Sequence, residues 1–150
     1  VIYFEAVDLP ELWDFFTALP TTVVVDHMGR PDVSLPVDGP QFARFLKLMR
    51  EHDNVWSKVS CPERLSVTGP RALQGERAAY RDVVPFARRI VEAFPDRVLW
   101  GTDWPHPNLK DHMPDDGLLV DFVPHIAVTS ELQHHLLVDN PMRLYWPEEV

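Results

Sequence analysis

The chain holds a single cysteine, Cys61, so no disulfide can close within it, and a reducing compartment is expected. No apolar run approaches the roughly 20 residues of a membrane span, because charges or prolines interrupt every candidate. Basic residues are outnumbered: 14 Lys and Arg face 23 Asp and Glu, a net charge of −9. Nucleic acid and anionic membranes both call for a basic patch, so neither partner is expected. No Gly-x-Gly-x-x-Gly or phosphate-loop motif stands at a strand–helix junction. Nor does His-x-His occur, and that motif on a strand would put two imidazoles on one face to anchor a metal or polarise a carbonyl. Adjacent His134 and His135 on a helix cannot substitute for it. A basic-then-apolar signal peptide and an initiator Met are also missing. Val1-Ile2-Tyr3-Phe4 reads as a strand in progress, and the expectation is a cut piece of a longer cytoplasmic protein.

Material for a core is plentiful, with 45% hydrophobic residues and five Trp in 150 residues. The 15 prolines are dispersed, which marks loops rather than a polyproline tract. Val1–Ala6 reads as a first strand, and Asp8 as a side-chain cap for a helix carrying Leu9, Leu12, Trp13, Phe16 and Leu19. Thr22–His27 suits a buried parallel strand, followed by a helix through Phe42, Phe45, Leu46 and Met49. Val55–Ser60 is the third strand, and Tyr80–Phe94 the helix after a long polar loop. Arg97–Asp103 is the fourth strand, with helical patterns over Leu118–Ile126 and Glu131–Val138. The alternation predicts an α/β fold of about four βα units with parallel strands. Four such units in 150 residues project to about 300 for eight, so half a (β/α)₈ barrel and a small open sheet both fit the pattern.

In parallel α/β folds the working residues gather at the strand C-termini. Three strand ends here are polar beyond what a core requires: Asp26–Pro31, Ser60–Ser66 and Gly101–Pro107. Asp103, followed by Trp104 and Pro105 that limit water access, can take a proton from water, ligate a metal, or merely cap the next turn. His27 can donate to a carbonyl oxygen, bind a metal, or serve as a core histidine. His106 reads as a loop histidine or a partner of Asp103, while His52, His112, His125, His134 and His135 look bland. Arg64 can pair bidentately with a substrate carboxylate or with Glu63 or Glu76. Cys61 beside it reads as a small buried thiol.

Asp26-His27-Met28-Gly29-Arg30-Pro31, Cys61-Pro62-Glu63-Arg64-Leu65-Ser66 and Gly101-Thr102-Asp103-Trp104-Pro105-His106-Pro107 resemble the amidohydrolase superfamily, most closely its pyrone-dicarboxylate lactonases. The likeness runs through Asp139-Asn140-Pro141 and covers the whole chain, but corresponds to the C-terminal half of such an enzyme. It implies one partial (β/α)₈ barrel domain over residues 1–150, with the N-terminal half of the barrel as its missing partner. It also implies hydrolysis of 2-pyrone-4,6-dicarboxylate to oxalomesaconate in bacterial catabolism of lignin-derived aromatics, with no metal or other cofactor. On that pattern Asp103 is the base that activates water, and His27 steadies the carbonyl oxygen as it gains charge. Arg64 and Tyr3 bind the small dicarboxylate substrate. The alternatives are a sister lactonase or decarboxylase that uses one divalent metal such as zinc, with His27 and Asp103 as ligands, and a non-catalytic half-barrel or binding module. Lacking His-x-His, the 150 residues alone are expected to be inactive, and their unpaired edge strands to associate.

Overall fold

A computed structural model describes residues 1–70, 79–109 and 113–149, so Glu76 and His112 lie outside the described residues. Three parallel strands form one sheet in the order β1 (Val23–Val25), β2 (Val55–Ser60), β3 (Val98–Gly101). Val24 pairs with Trp56, and Lys58 with Leu99, which fixes the register across the sheet. The expected first strand shrinks to a single bridge. Ile2 donates to Val24 O at 2.8 Å and accepts from Asp26 N at 2.9 Å. Phe4 then turns into the core against Phe16 and Phe45, which draws the backbone off the ladder.

Helices α1 (Leu9–Thr17), α2 (Pro40–Glu51) and α4 (Val84–Ala93) follow the bridge, β1 and β2; a single turn, α3 (Pro62–Leu65), directly follows β2. Asp8 makes no side-chain cap; instead its carbonyl accepts from Glu11 and Leu12 at 3.1 Å. The helix expected from Tyr80 starts later, because Tyr80 is left-handed at φ 57° and Pro85 fits only in the first turn. Beyond β3 come α5 (Asp116–Ile126), α6 (Ser130–His134), a wide turn over 135–139 and α7 (Asn140–Tyr145). None of these helices is long and apolar enough to cross a membrane among the described residues.

Alternation along the strands divides the sheet. Val23, Val25, Val55, Val59 and Val98 face the helices and join one large core with Phe42, Phe45, Met49, Phe86, Ile90 and Phe122. Val24, Trp56 and Leu99 point to the other face, where Leu144 packs on them and the Arg143 guanidinium lies over the Trp56 ring. Further along that face come Lys58 and Ser60, so polar side chains collect at the strand C-termini.

Two polar residues, Arg97 part-buried and Asn140 buried, tie the strand N-termini to the helices. Arg97 Nη1 donates to Met49 O, His52 O and Val55 O at 2.9–3.0 Å, closing the C-terminus of α2. Asn140, 1% exposed, donates to Pro95 O and Val98 O at 2.8 Å each and pins α7 beneath β3. Asn140→Ala leaves both carbonyls without this donor, and should lower stability by about 1–3 kcal/mol in denaturant melts. An unchanged midpoint would contradict that role.

Candidate active site

Backbone strain gathers at the strand C-termini. His27, Met28, Gly29 and Arg30 have φ of 53°, 60°, 64° and 48°, a left-handed turn at the end of β1. For non-glycine residues this costs about 1–2 kcal/mol each, so packing must hold it. Gly29 lies so close under Phe45 and Phe4 that a Cβ would meet them at 2.9 and 3.1 Å. Cys61, Asp103 and His106 are also left-handed, at φ 64°, 64° and 58°. Strain of this kind concentrates where geometry serves a site.

The turns bring His27, Cys61 and Asp103 together, with Arg64 at their centre. Arg64 Nη2 lies 2.6 Å from Asp103 Oδ2 and 3.0 Å from His27 Nε2, and its Nε donates to Cys61 Sγ at 2.7 Å. Arg64 thus pairs with Asp103 and not with Glu63, whose side chain turns inward to His106. His27 is buried, and its Nδ1 stands 2.8 Å from Ser60 Oγ. A guanidinium can only donate, so Nε2 accepts here and the imidazole proton sits on Nδ1 toward Ser60. Burial, partly offset by Asp103 and Asp26, holds His27 below its ordinary value, which makes it a neutral imidazole at pH 7.

A cavity of about 390 Å³ opens over this cluster, lined by Asp26, His27, Lys58, Ser60, Asp103 and Trp104 among others. Lys58 Nζ pairs with Asp26 Oδ1 at 2.9 Å on its wall, and neither residue stood out in the sequence. A second cavity of about 240 Å³ is lined by Glu5, Arg30, Gln41 and Arg64, so the Arg64 side chain stands between the two. Tyr3 is half-exposed beside this cluster, its ring edge-on to His27 with centroids 6.0 Å apart. Its hydroxyl donates to Glu5 Oε1 at 2.7 Å, and Glu5 Oε2 accepts from Arg30 at 3.0 Å. Trp104 departs from expectation: at 76% exposed it borders the cavity without shielding Asp103 from water.

His27, Cys61 and Asp103 each offer a ligand atom within 4.8 Å of the others, the spacing of a metal site. They do not fit one as they stand. A fixed positive charge already occupies their point of convergence, within 2.6–3.0 Å of all three. Burial also pushes the Cys61 thiol up to about 12, which keeps it protonated and a poor ligand.

The amidohydrolase family model matches residues 1–146. The chain is 87% identical over all 150 residues to a 2-pyrone-4,6-dicarboxylate hydrolase from Comamonas testosteroni, of which it covers 49%. To a 4-sulfomuconolactone hydrolase from Rhizobium radiobacter it is 38% identical, over 96% of this chain and 46% of that one. A ligand-free crystal structure from Agrobacterium tumefaciens superposes with a TM-score of 0.74 at 29% identity, over 95% of this chain and 48% of that one. The chain therefore spans about half the length of the curated relatives it matches. Its parallel sheet and outer helices are an arc of about half a (β/α)₈ barrel.

Cys61 is fully buried with its thiol near 12, so iodoacetamide at pH 8 should leave it unmodified until the protein unfolds. Mass spectrometry of the Cys61 peptide checks this. Labelling of the native protein at the rate of a free thiol would contradict the buried Arg64–Cys61 contact.

Proposed function

The chain belongs to the amidohydrolase family, and we propose that it is part of a single-domain barrel hydrolase that opens the lactone ring of 2-pyrone-4,6-dicarboxylate. The observation that carries this reading is the convergence of a carboxylate, a neutral imidazole and a guanidinium at the strand C-termini. The 87% identity to a relative named for that activity supports the substrate class.

As the side chains stand, Arg64 bridges Asp103 and His27. A substrate carboxylate competes for the guanidinium, since charge-assisted bidentate pairs form best between those two groups. As Arg64 turns to it, Asp103 is freed to take a proton from water. The water oxygen bonds to the lactone carbonyl carbon, and the carbonyl electrons move onto oxygen. His27 faces that oxyanion from Nε2. Ser60, an acceptor now, becomes a donor to Nδ1 once the imidazole proton has exchanged through solvent to Nε2. Collapse breaks the bond from carbonyl carbon to ring oxygen, which leaves as an enol with the proton Asp103 took and ketonises to oxalomesaconate.

No step draws on a metal, and the charge of Arg64 at the point of convergence supports that reading. On an acidic chain of net charge −9, Arg64 and Arg30 beside one cavity supply locally the positive charge a dianion needs. Tyr3 serves the substrate from beside this cluster, where its hydroxyl must leave Glu5 to donate elsewhere. The product places the reaction in aromatic-compound catabolism, and a cytoplasmic setting fits the lone reduced cysteine.

The test follows loss of pyrone absorbance with the full-length protein. Asp103→Asn should lower kcat by about 10²–10⁴-fold, and Arg64→Ala should cost about 2–5 kcal/mol in kcat/KM, chiefly through KM. Near-normal kcat in the first variant, or an unchanged KM in the second, would refute the assigned roles.

A further inference from the structure

Arg64 and Asp103 are joined twice, once in the open and once behind. The open link is the guanidinium–carboxylate pair that borders the cavities. The hidden link runs from one residue before Arg64 to three residues beyond Asp103. Glu63, next to Arg64 on α3, points inward with a side chain 0% exposed, and Glu63 Oε1 stands 3.4 Å from His106 Nδ1. His106 is equally enclosed, with a side chain 2% exposed, and its backbone N–H donates to Asp103 O at 2.7 Å. That bond closes the turn which holds both Asp103 and His106 left-handed.

The imidazole lies between two carboxyl groups. His106 Nε2 lies 3.0 Å from Asp116 Oδ1, at the first residue of α5. An ionised Asp116 can only accept, so Nε2 carries the proton and Nδ1 is left as an acceptor toward Glu63. Burial raises Glu63 above the usual carboxylate range, which favours the protonated carboxyl that Nδ1 can use. Glu63 makes no other ion pair among the described residues, and at 3.4 Å the contact stops short of hydrogen-bond geometry, which leaves Glu63 Oε1, Glu63 Oε2 and His106 Nδ1 buried without a hydrogen bond.

These two links face different demands during the reaction. On the mechanism proposed above, a substrate carboxylate draws the Arg64 guanidinium away from Asp103. With that pair gone, no other ion pair or hydrogen bond among the described residues ties the strained Asp103 turn to α3 on the cavity side. We propose that Glu63 and His106 are positioning residues, a buried strut that keeps the Asp103 turn in register with the Arg64 turn after substrate has drawn the guanidinium away. The assignment rests on the lactonase reading for its kinetic consequence, but not for its structural one.

The experiment compares Glu63→Leu, Glu63→Gln and His106→Phe in the full-length protein. Gln can still donate to Nδ1, whereas Leu and Phe keep volume and lose the link. Glu63→Leu and His106→Phe should lower kcat for the pyrone dicarboxylate at least tenfold with KM within threefold, and Glu63→Gln should stay within threefold of the parent in both. Amide hydrogen exchange at His106, whose N–H bonds Asp103 O, should accelerate at least tenfold in the first two variants only. Protection in β2 and β3 should not change. Parent-like kcat and exchange in Glu63→Leu or His106→Phe would overturn the strut. So would loss of β2 and β3 protection along with activity, which marks a general packing role. A parent protein that fails to open the pyrone would sink the lactonase reading alone, and the exchange pattern would then decide the strut.

Discussion

One guanidinium organises this end of the sheet. Arg64 brings a positive charge that cannot be titrated away into a half-buried setting, and three strand ends supply what it needs. Asp103 provides charge, His27 a lone pair and Cys61 a soft acceptor, each within 3.0 Å. Remove the guanidinium, and a carboxylate, an imidazole and a thiol would converge with no cation between them. The left-handed turns at His27–Arg30, Cys61 and Asp103 are the backbone cost of that convergence, and the packing of Phe4 and Phe45 on Gly29 is part of what sustains it.

The same charge accounts for the proposed match of an acidic chain to an acidic substrate. Net charge acts at long range and governs encounter, whereas binding is set by what lies within a few ångströms. Arg64 and Arg30 flank one cavity, and Lys58 lines the other beside Asp26. Each of these cations is paired, Arg30 with Glu5, Lys58 with Asp26 and Arg64 with Asp103. A carboxylate that enters exchanges one partner for another instead of meeting a naked charge, which favours discrimination over raw affinity.

His27, Arg64 and Asp103 were legible in the sequence because parallel strands put polar C-terminal residues where they have no packing reason to be. The β1, β2 and β3 strands were legible for a related reason, as short apolar runs between helical periods. Other features were not, because tertiary contacts decide them. Val1–Ala6 has strand composition, but Phe4 is drawn into the core and only Ile2 pairs. Trp104 follows Asp103 in sequence, yet the left-handed Asp103 turns the chain so that the indole faces out. Cys61 read as a bystander, since nothing local marks a thiol as the acceptor for Arg64 Nε. The Glu63–His106 pair joins residues 43 apart, and its one sequence signal was a histidine three positions beyond Asp103.

The central claim is that the Arg64 guanidinium does the work a metal ion would do in organising this site. Metal content and pyrone-dicarboxylate hydrolysis of the full-length protein, measured together after exhaustive treatment with a chelator, test it most directly. An undiminished rate at well under one metal ion per active site is the predicted result. A rate that falls with the metal and returns when zinc or another divalent ion is added back would contradict it.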